Sequence, residues 1–357
     1  MIGIKDIYNV ISSTFPLYVP LFLGYGSVRW WKIFTPEQCI AINKLVAYFT
    51  LPFFTFEFAS HVDPFAMNYQ VIAADVLSKV IIVVILAFWA KCSSKGSYSW
   101  SITSFSLITL TNSLVVGVPM LHGMYGMMAE DLVVQLSVFQ AIVWLTVLLF
   151  VLEVRKARSS VLSVMASSKD SQVVSVDVEK EAQGTESLSS EKPSICAILR
   201  VVFLKLAINP NSYASIVGVI WASLSNRWHF GMPSVMEGSI TILSKAGGGM
   251  AMFSMGVFMS QQKKLIACGP SLAVFAMVLR FIAGPAAMAI ASIVVGLRGT
   301  VLRIAIIQAA VPQSITSFIY AREYDLHAEV LSTAVIFGML VSLPVLIAYY
   351  VILGLLN

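Results

Sequence analysis

Charge is what this sequence has least of. Of 357 residues only 11% are charged while 58% are hydrophobic, and the mean hydropathy is +0.85. A soluble domain carries about 25% charged residues, so a chain this long could not cover its surface against water. A soluble enzyme is excluded. The net charge of +5 is small, and the basic residues form no stripe with interleaved aromatics, so no nucleic-acid partner is expected. Cys39, Cys92, Cys196 and Cys268 stand far apart with no CxxC pair, and His61, His122, His229 and His327 are equally scattered. Neither a zinc site nor a disulfide framework has the spacing it needs, and no metal or cofactor is expected. A GxxxxGK[ST] phosphate loop, an HExxH pair and a GxGD segment are all missing, which argues against a nucleotide site and an intramembrane protease.

What is present is apolar sequence in runs. At about 20 residues per spanning helix, polar breaks delimit five runs near 7–27, 39–59, 70–90, 101–122 and 132–153. Five more follow near 207–226, 235–260, 270–293, 301–321 and 329–353. The first run holds Pro16 and Pro20, has no basic lead beyond Lys5 and shows no small-x-small cleavage site, so it is expected to remain as a span and not to serve as a signal peptide. The expectation is an all-α, ten-span, multi-pass membrane protein: a first five-helix unit over 1–153, a linker over 154–200 and a second unit over 201–357. Residues 155–194 are rich in Ser, Glu and Lys and hold twelve of the charges, the composition of a disordered linker. Loop Lys and Arg number fifteen on the linker's face and four on the other, which predicts a cytosolic linker and both termini on the opposite side.

The halves resemble each other. Arg29-Trp30 followed by Pro36 recurs as Arg227-Trp228 followed by Pro233; Lys79 matches Arg280, and Asn112-Ser113-Leu114 matches Gln313-Ser314-Ile315. Five spans per half make the second copy inverted, the pattern of secondary transporters whose sites lie where matching helices break at the midplane. The fourth and ninth runs are the candidates, reading L-T-N-S-L-V-V-G-V-P to Pro119 and V-P-Q-S-I-T-S-F around Pro312. Proline removes a helical hydrogen bond, and in a bilayer such a break is tolerated where it is buried or lines a cavity. Half-helix N-termini favour an anion, and Asn112 and Gln313 would add neutral amide donors there. The competing reading is a proline kink with polar residues gluing helices together. Asp75 and Lys79 stand one turn apart in the third run, either a self-neutralising pair or a functional one; the position matching Asp75 is Ala276. Asp75 is thereby assigned either protonation or propping of the broken fourth helix. Gln140 and Trp144 in the fifth run, with Thr55 after the Leu51-Pro52 break, could line a cavity for a small amphipathic ligand. Gly247, Gly248 and Gly249 would let another backbone approach closely.

Taken together, D-I-Y-N-V with F-P-L-Y-V-P, F-T-P-E-Q-C-x-A-I-N-K, N-S-L-V-V-G-V-P with M-Y-G, A-I-N-P-N-S-Y-A, and Q-A-A-V-P-Q-S with S-T-A-V-I-F-G-M-L resemble the PIN-FORMED auxin efflux carriers of plants. The resemblance covers both hydrophobic halves. Long-looped members carry a far longer hydrophilic region where this chain has its linker, so the chain resembles the short-looped, endoplasmic-reticulum type; the plasma membrane is the alternative location. The resemblance implies a homodimer in membrane lipid, built of two inverted five-helix repeats with crossed broken helices, similar to bile-acid transporters and sodium/proton antiporters and working as an elevator. It implies indole-3-acetate as substrate, with site residues at Leu51, Thr55, Asn112, Val115 and Gln140, a support pair at Asp75 and Lys79, and ninth-run counterparts at Gln313 and Ser314. An ion-coupled carrier of another small organic anion is the alternative. Three positions depart from the family pattern: Thr111 and Ser317 stand where prolines are usual, and Leu145 where some relatives present tyrosine.

Overall fold

The computed structural model describes residues 4–94, 96–170, 195–262, 264 and 266–355. In chain order the helices are α1 (Ile4–Arg29), α2 (Pro36–Leu45), α3 (Leu51–His61), α4 (Tyr69–Cys92), α5 (Tyr98–Thr109), α6 (Val118–Tyr125), α7 (Met127–Phe139) and α8 (Leu145–Asp170). They continue as α9 (Ile195–Ile208), α10 (Pro210–Trp228), α11 (Ser234–Gln261), α12 (Pro270–Val278), α13 (Gly284–Val295), α14 (Gly299–Ala309), α15 (Ile315–Glu323) and α16 (Ala328–Leu355). Among the described residues the one β-type pairing is an antiparallel bridge between Thr111 and Gln313. Six helical runs among the described residues are long and apolar enough to cross a membrane: Pro36–His61, Tyr69–Cys92, Met127–Ala157, Ser234–Gln261, Pro270–Val295 and Ala328–Leu355. The expected first and sixth runs fall on α1 and α10, and the fourth and ninth are each split in two. Of the expected linker, 171–194 lies outside the described residues.

Among the described residues four π-turns, at Val46–Thr50, Ser113–Gly117, Gln140–Trp144 and Leu279–Ala283, widen these runs. Three stand two residues before a proline: Pro52, Pro119 and Pro285. A proline gives no N–H to the carbonyl four residues back and its ring crowds that carbonyl, so the helix widens there. At Pro285 the orphaned carbonyl belongs to Phe281, and the Tyr349 hydroxyl donates to it at 2.6 Å. The backbone is thereby satisfied without water, as a membrane interior requires.

Helices α1, α3, α10 and α11 pack together through small residues. A side chain at Gly247 of α11 would meet Phe54 and the Thr50 carbonyl, at 2.6 and 2.9 Å, so glycine there lets two backbones approach. Helices α4, α5, α7, α8 and α12 to α16 surround the two breaks. Gly284 opens α13 against both: a Cβ there would lie 2.8 Å from the Ile108 carbonyl and 3.4 Å from that of Ala309.

Candidate functional site

The breaks between α5 and α6 and between α14 and α15 cross and bond to each other. Asn112 N–H donates to the Pro312 carbonyl at 2.8 Å, and Ser314 N–H to the Leu110 carbonyl at 3.1 Å. Pro312 accounts for the second break, since its ring cannot donate to a helix. The first break falls at 110–112, upstream of Pro119, and contains no proline. Gln140 holds it open instead. Its Oε1 accepts from Thr111 N–H at 3.1 Å and from the Thr111 hydroxyl at 3.1 Å, while its Nε2 donates to the Thr111 carbonyl at 2.8 Å. One side-chain amide thus occupies both backbone groups that a continuous helix would use, doing by hydrogen bonding what a proline at 111 would do by geometry. Ser317 works similarly in the second break: it donates to the Ser314 carbonyl at 2.6 Å and accepts from Gln313 Nε2 at 2.6 Å.

Arg280 sits behind the crossing, wholly buried, and satisfies the C-terminal carbonyls of both preceding half-helices. It donates to Leu107 at 3.1 Å, Ile108 at 3.1 Å and Leu110 at 3.3 Å at the end of α5. At the other break it reaches Ala309, the last residue of α14, and Val311 just beyond it, each at 2.8 Å. The last carbonyls of a helix lack intrahelical donors and carry partial negative charge. A guanidinium with five fixed donors suits two such ends at once, which explains why Arg280 needs no carboxylate one turn earlier.

In front of the crossing lies a cavity of about 460 Å³, within the range of small-ligand sites. Its floor takes in Asn112, Ser113, Leu114, Val115, Ser314, Ile315 and Thr316, the starts of both following half-helices. Their first-turn N–H groups have no intrahelical acceptor, so two positive helix ends face one space. Of the expected site residues, Leu51, Thr55, Asn112, Val115, Gln140, Leu145 and Ser314 line this cavity. The Asn112 amide makes no hydrogen bond among the described residues and stands ready for a ligand. Gln140 touches the cavity with its amide already engaged. Gln313 is not brought there: its Nε2 donates to the Ser106 carbonyl at 2.9 Å, tying the second break to α5. Apolar walls come from Phe54, Met252, Met255, Phe258 and Phe318.

Asp75 and Lys79 lie outside this cavity and line a separate one of about 30 Å³ with Thr109, Thr111, Gln140 and Gln308. Lys79 Nζ lies 2.7 Å from each Asp75 oxygen, and Trp144 Nε1 donates to Asp75 at 2.9 Å. The Lys79 ammonium also stands 4.8 Å from the centre of the Trp144 ring, a cation–π contact. The support pair therefore braces the Gln140–Trp144 π-turn, whose first residue holds the Thr111 break. Gln308 donates to Ser113 Oγ at 2.5 Å, while its Oε1 is buried with no partner.

Sequence reasoning did not assign the capping by Arg280, the Gln308 link to Ser113, or Asn211, whose Oδ1 accepts from the Thr55 hydroxyl. Two signals were within reach: an intramembrane arginine without an acid, and Asn209-Pro210-Asn211, where two amides flank a helix start.

The profile of the family described as "Membrane transport protein" matches residues 9–350. The chain is similar to "Auxin efflux carrier component 5" of Arabidopsis thaliana, 65% identical over 350 residues and 98% of each chain. It is 62% identical to "Probable auxin efflux carrier component 5a" of Oryza sativa subsp. japonica over 363 residues and the whole of both chains. To "Auxin efflux carrier component 8" of Arabidopsis thaliana it is 41% identical over 367 residues, covering 99% of this chain and 100% of the relative.

Proposed function

This chain belongs to the auxin efflux carrier family of membrane transport proteins, a family of transporters and not of enzymes, and on that premise we propose that it carries indole-3-acetate out of the cytosol. The observation that carries the reading is the floor of the large cavity, where two half-helix N-termini and the unengaged Asn112 amide meet beneath apolar walls. Backbone N–H groups and neutral amides stabilise a carboxylate without a buried counter-ion. The aromatic ring of the substrate would lie against Phe54, Phe258 and the methionines.

The cavity reaches exposed residues of α2, α11 and α15, namely Lys44, Gln261 and Arg322. Arg322 adjoins Glu323, which pairs with Lys205 of α9, itself paired with Glu153 of α8, so the reading puts the opening on the face from which the linker leaves. With the linker cytosolic, this is the loading state of an exporter. The crossed breaks and the matched positions of Lys79 and Arg280 support two inverted five-helix repeats. The separate packing of α1, α3, α10 and α11 supports a scaffold against which the other helices move as an elevator. The short linker and the similarity to short-looped relatives support the endoplasmic reticulum membrane, with the lumen receiving auxin and cytosolic auxin held in balance; on the same kinship the carrier is proposed to work as a homodimer.

Uptake of labelled indole-3-acetate into sealed vesicles tests the reading, comparing the natural chain with Asn112→Ala and Asp75→Asn. Uptake above empty vesicles, lost in Asn112→Ala, is expected; uptake no greater than empty vesicles sinks it. The small cavity beside Asp75, with the unpartnered Gln308 Oε1, favours one second reading, an ion-coupled carrier of another organic anion. Sodium-dependent uptake that ignores indole acids would select it.

A further inference from the structure

The large cavity carries a charge asymmetry that its floor does not explain. Among its described lining residues the ionisable side chains are Lys44 and Arg322, both basic and both exposed. Neither has an ion-pair or hydrogen-bond partner among the described residues. The neighbouring acids Glu37 and Glu323 do not line the cavity, and Glu323 is bound by Lys205 at 2.8 Å. Lys44 enters from α2 and Arg322 from the last turn of α15, two helices that flank the opening on different sides of the chain.

Both stand away from the floor: on the run Pro36–His61, Lys44 precedes Leu51 by seven residues, about 10 Å of helix. Helix α15 begins beside Ser314 at the crossing and carries Arg322 near its other end; at 1.5 Å per residue the two levels are about 12 Å apart. Arg322 is therefore not a ligand of a carboxylate seated at the crossing. The walls are mainly apolar, with Phe54, Met252, Met255, Phe258 and Phe318, and Ser254 and Asn43 bond to each other at 2.7 Å, so the channel focuses the field of charges at its mouth.

We propose that Lys44 and Arg322 form an anion-capturing ring at the cavity mouth and set the carrier's preference for negatively charged ligands at entry, while the neutral crossing performs the final seating. This division rests on the reading of the cavity as a site for a small organic acid. It assigns charge selection to residues that never touch the seated ligand. Capture at the rim raises the local concentration of anions and excludes cations, and the uncharged floor lets the anion leave again.

The potential inside the cavity can be read without knowing the substrate. In the detergent-solubilised full chain with its four native cysteines replaced by serine, a single cysteine is placed on the cavity wall as Ser254→Cys or, on another helix, Ala47→Cys. Its reaction rates with an anionic and a cationic methanethiosulfonate of similar size are compared. The anionic reagent is expected to react faster by on the order of ten-fold at low salt, with the ratio falling toward unity in Lys44→Gln/Arg322→Gln and persisting in Lys44→Arg/Arg322→Lys. A ratio near unity in the natural background, or one unchanged by the neutral pair, overturns the inference. In vesicles the neutral pair should raise the KM for indole-3-acetate several-fold at unchanged maximal rate. If the thiol ratio behaves as expected while the natural chain takes up no indole-3-acetate, the proposed substrate fails and the anion ring stands. A flat ratio beside normal uptake overturns the anion ring and leaves the substrate in place.

Discussion

Asn112 and Gln140 carry the same functional group to the same crossing and use it differently. Asn112 offers its amide to the cavity, whereas Gln140 spends its amide on the Thr111 backbone. Asn112→Ala should therefore abolish uptake while leaving stability within about 0.5 kcal/mol, as for a substitution that orphans nothing. Gln140→Ala strips partners from the buried Thr111 N–H and carbonyl, at about 1–3 kcal/mol for each. Thermal unfolding in detergent beside vesicle uptake separates the two; equal losses of stability would refute the division. Arg280→Gln removes donors from the ends of two half-helices and should cost more than either, with Arg280→Lys only a partial rescue because an ammonium cannot span both ends. Asn112 stood out by its matched repeat position and Thr55 by the Leu51-Pro52 break before it, while Leu51 itself came only with the family resemblance; all three line the cavity. Gln313 was not: across a single bridge, which side chain faces the cavity depends on the partner strand, and no periodicity within 311–318 encodes it. Gln140 was legible as a polar residue in an apolar run, but its bond to Thr111 joins positions far apart in sequence.

Among the elements, the two broken runs were the clearest, since Pro312 and Pro119 interrupt otherwise continuous apolar sequence. The first break nevertheless lies at 110–112, where Gln140 holds the Thr111 backbone, while Pro119 lies inside the helical run Ser113–Tyr125 and widens it without breaking it. Three of the π-turns are marked in the sequence by a proline two residues on, but hydropathy does not record how a carbonyl freed by Pro285 finds the Tyr349 hydroxyl. The turn between α15 and α16 has its own titrating group. His327 shares a hydrogen bond with Thr103 at 2.8 Å and stacks on Trp100 with ring centres 4.0 Å apart. Desolvation first, and the nearby Arg155 second, hold its pKa below the usual histidine value. A base with a depressed folded pKa contributes stability that is present above the unfolded value of about 6.5 and is lost as pH falls through it. Unfolding temperature should therefore drop as pH falls from about 7 toward 5, and His327→Gln should flatten that slope. An identical slope in the variant would place the titration elsewhere.

For the whole molecule, composition was enough to place the chain in a membrane, and long apolar runs located its helices. Their assembly was less visible, because small-residue packing such as Gly247 against Thr50 leaves no mark in hydropathy. One cluster on the linker's face links elements from both halves. Lys205 of α9 reaches Glu153 of α8 at 2.7 Å and Glu323 of α15 at 2.8 Å, and donates to the Tyr324 hydroxyl at 2.6 Å. Those acceptors hold the Lys205 ammonium above its ordinary pKa despite partial burial. Arg155 adds a bond to the Tyr324 carbonyl at 3.0 Å. Replacing 171–194 by a Gly/Ser segment of equal length should leave vesicle uptake within about two-fold, whereas Lys205→Ala in that background should lower it; a large loss from the replacement alone would show that the segment itself is needed. In polymer terms, the pairing of Lys205 with Glu153 makes everything between them a loop whose ends are already pinned together. The entropic cost of lengthening such a loop rises only as its logarithm, about 0.6 kcal/mol per doubling. A tether fixed in this way can be extended many-fold without pulling on the helices it joins, which leaves the length of this region open to variation among carriers while the crossing stays the same.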